Sequence, residues 1–466
     1  MATVKVSEIR SGKFFVGFPW ITAVLAYTIS WCWSLIRPNT LYWDDWAYIF
    51  NQPKGFLNEI FLKTGLPPWR AIIDQELLMV GYWTIRWLTF VMFFAAGLFL
   101  FEILKKIPFI SLVQSRSLVL LFLIFPLNHA RVPLVMFGYT TSYFLFFLAW
   151  MLLIKRSSWI SFLSACACFI WSFMTHSFLT FTLLPILHFA FLHREKLICK
   201  KPNSKTLTQF GLLTGLPVLY YALRTLYWPP APEYLWYHTV YLRAVLVASV
   251  YFLPFVISSI IIVLRIRSGE RVSSKVLIIT AGFLAFAVAV FPYLSSGNLD
   301  SRMTFFFWEL DWSSRHELLM PLGTSAITIA IVYFISENKS KPILALIAAV
   351  MISLNVFWGI GTYVDSLKKD QLENLLSVEI AIDDSSRFVF VDETRRFNFR
   401  ESAYRFYEYA GHLSNAGKDP VPEVKYECEE GLNQTQVVIS SEKGLFEAFF
   451  SRDLGLRLEI GPCKSS

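Results

Sequence analysis

The string Leu41-Tyr-Trp-Asp-Asp-Trp46 sets two adjacent carboxylates, Asp44 and Asp45, between tryptophans a few positions after the first long apolar segment of the chain. Carboxylates beside a membrane are costly unless they are solvated, paired or employed. One ionised carboxylate can take a proton from a hydroxyl, and a neighbour can bias that step through orientation or like-charge repulsion. The bland alternative is a solvated turn. No HExxH, CxxC, P-loop or GxGxxG pattern occurs, and Cys166 and Cys168, two residues apart, turn to different faces of a helix. No metal or other cofactor is expected, since neighbouring loop residues do not set up the near-octahedral oxygen geometry that Mg²⁺ demands.

The elements that must position this pair are helices in a bilayer. The chain has 466 residues, 55% of them hydrophobic, 17% aromatic and 16% charged, and its mean hydropathy is +0.50; a soluble protein of this size is far more polar. A span needs about 20 apolar residues, and eleven such segments can be drawn, near 14–36, 79–104, 111–127, 134–154, 158–174, 177–193, 207–226, 245–264, 276–294, 318–335 and 342–362. The net charge of +8 divides unevenly: 29 Lys and Arg against 15 Asp and Glu in residues 1–363, and 13 against 19 in residues 364–466. The basic excess therefore belongs to the membrane part, in alternate loops, and does not point to nucleic acid. By the positive-inside rule the N-terminus is cytoplasmic, the odd span count puts the C-terminus outside, and Asp44 and Asp45 face outward. The first span has no clear small-residue cleavage site and reads as retained.

The expected fold is thus an all-α polytopic membrane protein of about eleven transmembrane helices, N-in and C-out, over residues 1–363, followed by a small external α+β domain over residues 364–466. The first external loop reads as short amphipathic surface helices that include Gly55–Lys63 and a Thr64-Gly-Leu-Pro-Pro-Trp-Arg70 string. A late loop near 295–317 gathers Asp300, Arg302, Glu309, Asp311, Arg315 and His316 among aromatic residues. In the tail, segments 387–391, 436–440 and 456–460 read as strands and 401–410 as a helix ending before Gly411. Cys428 and Cys463 both fall in this outward domain, where a disulfide is permitted and would stabilise it by about 3–4 kcal/mol. Asn433-Gln-Thr435 has the form of a glycosylation sequon, which arises often by chance.

In this order and sidedness the chain resembles the GT-C superfamily of membrane glycosyltransferases. Three short strings carry the resemblance. Trp43-Asp-Asp-Trp46 is similar to the acidic pair that follows the first span, and Thr175–Pro185 looks like a polar outward turn between two middle spans. Ser313-Ser-Arg-His-Glu-Leu-Leu-Met-Pro321 is similar to an Arg-Tyr-x-x-Pro string, with His316 in the tyrosine's place and a longer gap to the proline. No WWD-type oligosaccharyltransferase signature is present. The resemblance implies an inverting transfer of a sugar from a polyprenyl-phosphate carrier to an envelope glycan or lipid acceptor, in a bacterial inner membrane with the site facing the periplasm. Asp44 matches the first acid of the pair and is the expected base, with Asp45 as its modulator. For the phosphate, guanidinium groups supply permanent charge and bidentate contacts, which makes Arg315, Arg302 and Arg131 candidates, with His316 and His129 as donors. His176, Trp43, Trp46 and Arg70 are the expected substrate-lining residues. Arg86 and Arg224, near the ends of spans, read as snorkelling side chains. A polysaccharide polymerase or ligase, a lipid-linked-sugar transporter and a non-catalytic membrane scaffold are the alternatives.

Overall fold

A computed structural model describes residues 15–49, 56–155, 158–198, 203–237, 239–297, 311–380, 387–418, 421–425, 427–429 and 434–463. Helices occupy every one of the eleven apolar segments. They run α1 (Trp20–Trp31) and α2 (Trp33–Ile36); three short loop helices α3 (Asp45–Ile49), α4 (Phe56–Lys63) and α5 (Trp69–Val80); then α6 (Tyr82–Leu104), α7 (Leu112–Ile124), α8 (Phe137–Lys155) and α9 (Trp159–Ser172). There follow α10 (Ser177–Phe181), α11 (Leu183–Leu192), α12 (Arg194–Ile198), α13 (Ser204–Tyr227), α14 (Leu242–Val250), α15 (Leu253–Arg267), α16 (Ser274–Ser295), α17 (Met320–Ile335) and α18 (Ser340–Glu379).

Length separates these helices. Four are long and apolar enough to cross a membrane: α6, α8 with its preceding turn, α16 and α18. The pair α14 and α15, bent by 45° at its break, makes a fifth if it counts as one span. At 1.5 Å per residue the 12-residue α1 is about 18 Å long, short of a hydrocarbon core of about 30 Å. The expectation of eleven full spans is therefore met in part: the remaining segments are helical but short, broken or, in α13, more polar. Breaks fall at Cys32, at Thr182 before Pro185, and at Tyr251–Phe252 before Pro254, where a proline in the following turn cannot donate to the helical ladder.

Between apolar helices in lipid, close packing rather than water exclusion supplies association. Gly323 of α17 lies against the α16 backbone, where an added Cβ would sit 2.4 Å from the Phe286 nitrogen. Phe146 of α8 meets Phe169, Phe178 and Phe181 from α9 and α10 at centroid distances of 5.0–5.4 Å. At the end of α6 remote from Asp44, buried Glu102 accepts from Lys105 at 2.7 Å, Lys155 at 2.8 Å and the Phe15 nitrogen at 2.8 Å, tying three segments together.

The loop helices pack onto the bundle. Leu57 and Phe61 of α4 bury against Ala71 of α5. Arg224 does not snorkel: it is buried, and its Nε donates to the Gly65 carbonyl at 2.9 Å, pinning the turn between α4 and α5.

The 40-residue α18 passes through residues 363 and 364 without interruption and joins the two parts of the chain. Its first half packs in the helical core, while Val364, Leu372 and Leu376 belong to the core of the tail. There β1 (Arg387–Asp392), β2 (Glu423–Lys425), β3 (Thr435–Ser440) and β4 (Arg457–Pro462) form a sheet of order β2-β1-β3-β4, with β4 antiparallel and the other pairs parallel. The three-residue β2 is too short to show an alternating pattern. Cys428 and Cys463 are disulfide-bonded with their Cα atoms 5.8 Å apart. The tail helix differs from expectation. The stretch 401–405 is not helical, because Arg400 and Glu401 adopt positive φ, and α19 runs over Phe406–Asn415. Glu408 accepts from the Arg405 nitrogen at 3.0 Å and caps its first turn. The helix continues through Gly411 because that glycine meets the Trp46 ring, whose nearest atom would be 2.1 Å from an added Cβ. A later α20 (Leu445–Ser451) completes the tail.

This contact can be probed directly. Gly411→Ala is expected to destabilise the docked tail by about 1–3 kcal/mol through overpacking, read as thermal unfolding of the full chain. Gly361→Ala, at a helical position with open space around it, should leave stability unchanged or raise it by about 0.5–1 kcal/mol.

Candidate functional site

Asp44 and Asp45 point to opposite fates because of the residue before them. Trp43 has φ of 51°, a left-handed conformation uncommon for a bulky side chain, and it turns the chain into α3 with Asp45 inward and Asp44 outward. Asp45 is fully buried. Its carboxylate accepts from the Tyr42 nitrogen at 3.1 Å and the Val135 nitrogen at 3.0 Å, and faces Arg86 at 3.7 Å. Burial pushes it up to about 6, against the pull of Arg86, the two N–H donors and Lys369. Arg86, expected to snorkel, instead gathers backbone carbonyls: its Nε donates to Pro38 at 2.9 Å, and its other nitrogens donate to Val132 and Thr40. Asp45 is thus held as a structural anchor of the loop, turned away from Asp44.

Asp44 lies at the surface of this anchor, with about a third of its side chain exposed. Both of its partners come from the tail. Arg405 Nη1 donates to Asp44 Oδ1 at 3.1 Å, the Tyr407 hydroxyl donates to the same oxygen, and Arg405 also donates to the Tyr407 oxygen at 2.7 Å. Among the described residues Oδ2 receives no hydrogen bond, so one oxygen is held and one is open. Two guanidinium groups flank the adjacent Trp43 ring, Arg315 at 5.0 Å and Arg405 at 5.5 Å from its centroid, each within cation–π range. The arrangement can accept a proton at Oδ2 and hold an anion nearby. The two aspartates face apart and cannot share a metal ion, and among the described residues no group of three or more His, Cys, Asp or Glu side chains is placed to hold one.

The loop is fastened from the α18 side as well. Lys369 donates to the Leu41 carbonyl at 2.7 Å and lies 3.9 Å from the Tyr42 ring centroid. Tyr42 donates to the Thr362 carbonyl at 3.2 Å, and Arg37 pairs with Asp370. Lys369 is itself held by Asp365 at 3.1 Å, whose other oxygen accepts from Tyr404.

The remaining expected site residues separate into groups. Arg315 stands at Trp43. Its neighbour His316 is buried and packs against Tyr293 with the rings tilted and their centroids 5.0 Å apart; Tyr293 in turn donates to Ser177 at 2.9 Å, which links the turn bearing His176 to the late loop. His129 and Arg131 line a cavity together with Phe399, which belongs to one apolar cluster with Trp43 and Ala130. Trp46 does not line a substrate path. It is buried, with its ring 4.7 Å from that of His412, and docks the tail. Arg70 is likewise a packing residue, buried over Phe61 with its guanidinium against Gly138. Arg302, like Asp300, Glu309 and Asn433, lies outside the described residues. Sequence pattern does not single out Arg405, Tyr407 or Lys369, and it reads Arg86 as a snorkelling side chain. No local signal marks Arg405 and Tyr407, which sit some 360 positions from their carboxylate.

A comparison with protein-family models finds none that matches the chain, and a comparison with curated proteins finds no significant match.

Two outcomes are expected of the anchors. Asp45→Asn leaves Arg86 without its buried carboxylate and should lower stability by about 3 kcal/mol, whereas Asp44→Asn, at a partly exposed ion pair, should change it by less than about 1 kcal/mol; thermal unfolding of the two purified variants checks the contrast. Glu408, which Arg405 and Tyr407 flank, is pushed by burial up to about 7, against the pull of Lys369 and of the Arg405 nitrogen, with Asp365 adding to the rise. A carboxyl raised in the folded state keeps its proton after the unfolded chain has released its own, so stability falls as pH rises from about 4.5 to 7. Glu408→Gln should flatten that slope in unfolding midpoints measured across the window.

Proposed function

We propose that the chain is a membrane glycosyltransferase that uses a lipid-linked sugar, with Asp44 as its general base. The observation that carries this reading is the geometry of Asp44: a carboxylate with Oδ1 fixed by Arg405 and Tyr407, Oδ2 open, and the Arg315 guanidinium beside it on Trp43. It accords with the resemblance carried by Trp43-Asp-Asp-Trp46 and by the segment around Arg315.

In the proposed reaction Oδ2 of Asp44 takes the proton of an acceptor hydroxyl while that oxygen attacks the anomeric carbon of the sugar. The bond from that carbon to the carrier phosphate breaks, and the phosphate leaves with the electron pair. Attack from the face opposite the phosphate inverts the anomeric configuration. A phosphate is a good leaving group without a strong acid, so the cations matter more: Arg315 and Arg405 stabilise the charge that grows on it. The substrate classes are a polyprenyl-phosphate sugar and an envelope glycan or lipid acceptor. Four or five helices able to cross a membrane support an integral membrane setting, and the distribution of Lys and Arg supports an outward-facing site in a multi-pass chain of the bacterial inner membrane.

The test is sugar transfer by the purified full chain in nanodiscs, with a panel of polyprenyl-phosphate sugars and envelope acceptors. Wild type should transfer, Asp44→Asn should lose at least about 100-fold in kcat, and Arg315→Gln should lose about 10- to 100-fold. Transfer by Asp44→Asn at near wild-type rates would remove Asp44 from the chemistry, and no transfer by folded wild type from any donor would overturn the class.

A further inference from the structure

A narrow cavity runs between α1 and α2, α6, and the middle of α18, and Phe399, which packs in one apolar cluster with Trp43 and Ala130, is part of its lining. Its floor is Arg131, whose guanidinium carbon lies 3.1 Å from the Trp31 ring centroid and 4.7 Å from that of Phe93. A second small cavity shares Arg131, Trp31 and Phe93, so the guanidinium stands between two empty spaces.

The polar inventory of this cavity does not close on itself. Arg131 Nη2, His129 Nε2, Ser30 Oγ and Asn355 Oδ1 are all buried and, among the described residues, have no hydrogen-bond partner, although buried polar groups are nearly always paired. Among the described residues no carboxylate lies within ion-pair distance of Arg131; the groups that interact with it electrostatically are the phenols of Tyr27 and Tyr143. Burial brings Arg131 down to about 10, so it stays charged at neutral pH. Burial and the charges of Arg400 and Arg131 hold His129 well below the usual imidazole range, against the pull of the Pro126 carbonyl, so the ring there is neutral and offers one donor and one acceptor. A buried cation without an anion is expensive, and the cation–π contacts with Trp31 and Phe93 offset only part of that cost.

We propose that this cavity is a binding site for a phosphate group carried on a lipid, separate from the Asp44 site. A phosphate monoester supplies what the cavity lacks: an anionic oxygen for Arg131, further acceptor oxygens for the Ser30 hydroxyl, and a P–OH to donate to His129 Nε2 or Asn355 Oδ1. The bilayer source follows from the rim. Trp33, Ser34 and Phe90 line the cavity and are only partly buried, and the nearby outward faces of α1, α2 and α6 expose Ile29, Ile36 and Trp87. An acyl or prenyl chain leaving the cavity would therefore run over apolar surface.

The experiment needs no transfer assay. Purified full chain is titrated with farnesyl phosphate, farnesol and inorganic phosphate, and thermal midpoint and tryptophan emission are followed, since Trp31 stacks on the proposed anion-binding group. Farnesyl phosphate should raise the midpoint and perturb emission, farnesol should do neither, and inorganic phosphate should compete only weakly. Arg131→Met should remove most of the response yet be no less stable than wild type without ligand, and Arg131→Lys should bind at least about tenfold more weakly, having lost the planar fork. Arg315→Gln, which removes a cation assigned to the carrier phosphate at the Asp44 site, should respond as wild type. Equal responses to farnesol and farnesyl phosphate, or a full response in Arg131→Met, would overturn the site. A response lost in Arg315→Gln would place the ligand at the other site and overturn the separation proposed here. Inorganic phosphate alone reproducing the whole response would keep the anion site and overturn its lipid source.

Discussion

The pairing of Arg86 with Asp45 is the constraint on which the rest of the site depends. A guanidinium from the start of α6 satisfies the carbonyls of Pro38, Thr40 and Val132, while the carboxylate takes the N–H groups of Tyr42 and Val135. Two irregular stretches, one on each side of α6 in sequence, are thereby fastened to each other and to a helix. Irregular backbone carries unpaired polar groups that cannot be buried unless something else satisfies them, and one ion pair does most of that here. Its cost in desolvation is accepted because the alternative is a set of orphaned backbone groups beside an apolar bundle.

That anchor makes the neighbouring carboxylate useful. With Asp45 locked inward and Trp43 in a left-handed turn, Asp44 has one direction left, and it meets Arg405 and Tyr407 at the start of α19. The tail is therefore not an appendage. It is held through the unbroken α18, through Lys369 and Tyr42, and through Trp46 against Gly411, and it contributes two of the groups nearest the candidate base. Helix α18 transmits position from the bundle to the tail because a continuous helix has no joint at which the two could drift apart.

The charges of the structure follow the same division. Glu102, at the end of α6 remote from Asp44, is closed by Lys105 and Lys155 and by a backbone nitrogen. At the Asp44 end Arg315 and Arg405 flank the Trp43 ring, and among the described residues no carboxylate lies within ion-pair distance of Arg131.

Much of this architecture was legible in the sequence. Apolar runs at bilayer length required helices, and all eleven segments are helical, because burial of backbone polar groups in an apolar setting leaves few other choices. The alternating strands at 387–391, 436–440 and 456–460 appear within a residue or two of their expected limits, since period-two patterning is a local property. Local pattern could also single out the adjacent pair Asp44 and Asp45 as chemically unusual. It could not tell Asp44 from Asp45, because which of two adjacent side chains faces outward was decided by the φ of Trp43 and by Arg86, some forty positions away. Nor could it assign Trp46 and Arg70 to packing, start α19 at Phe406, or bring Arg405 and Tyr407 to the carboxylate. Those outcomes belong to contacts between segments distant in the chain, where shape, burial and the pairing of buried charge exist only once the fold has formed.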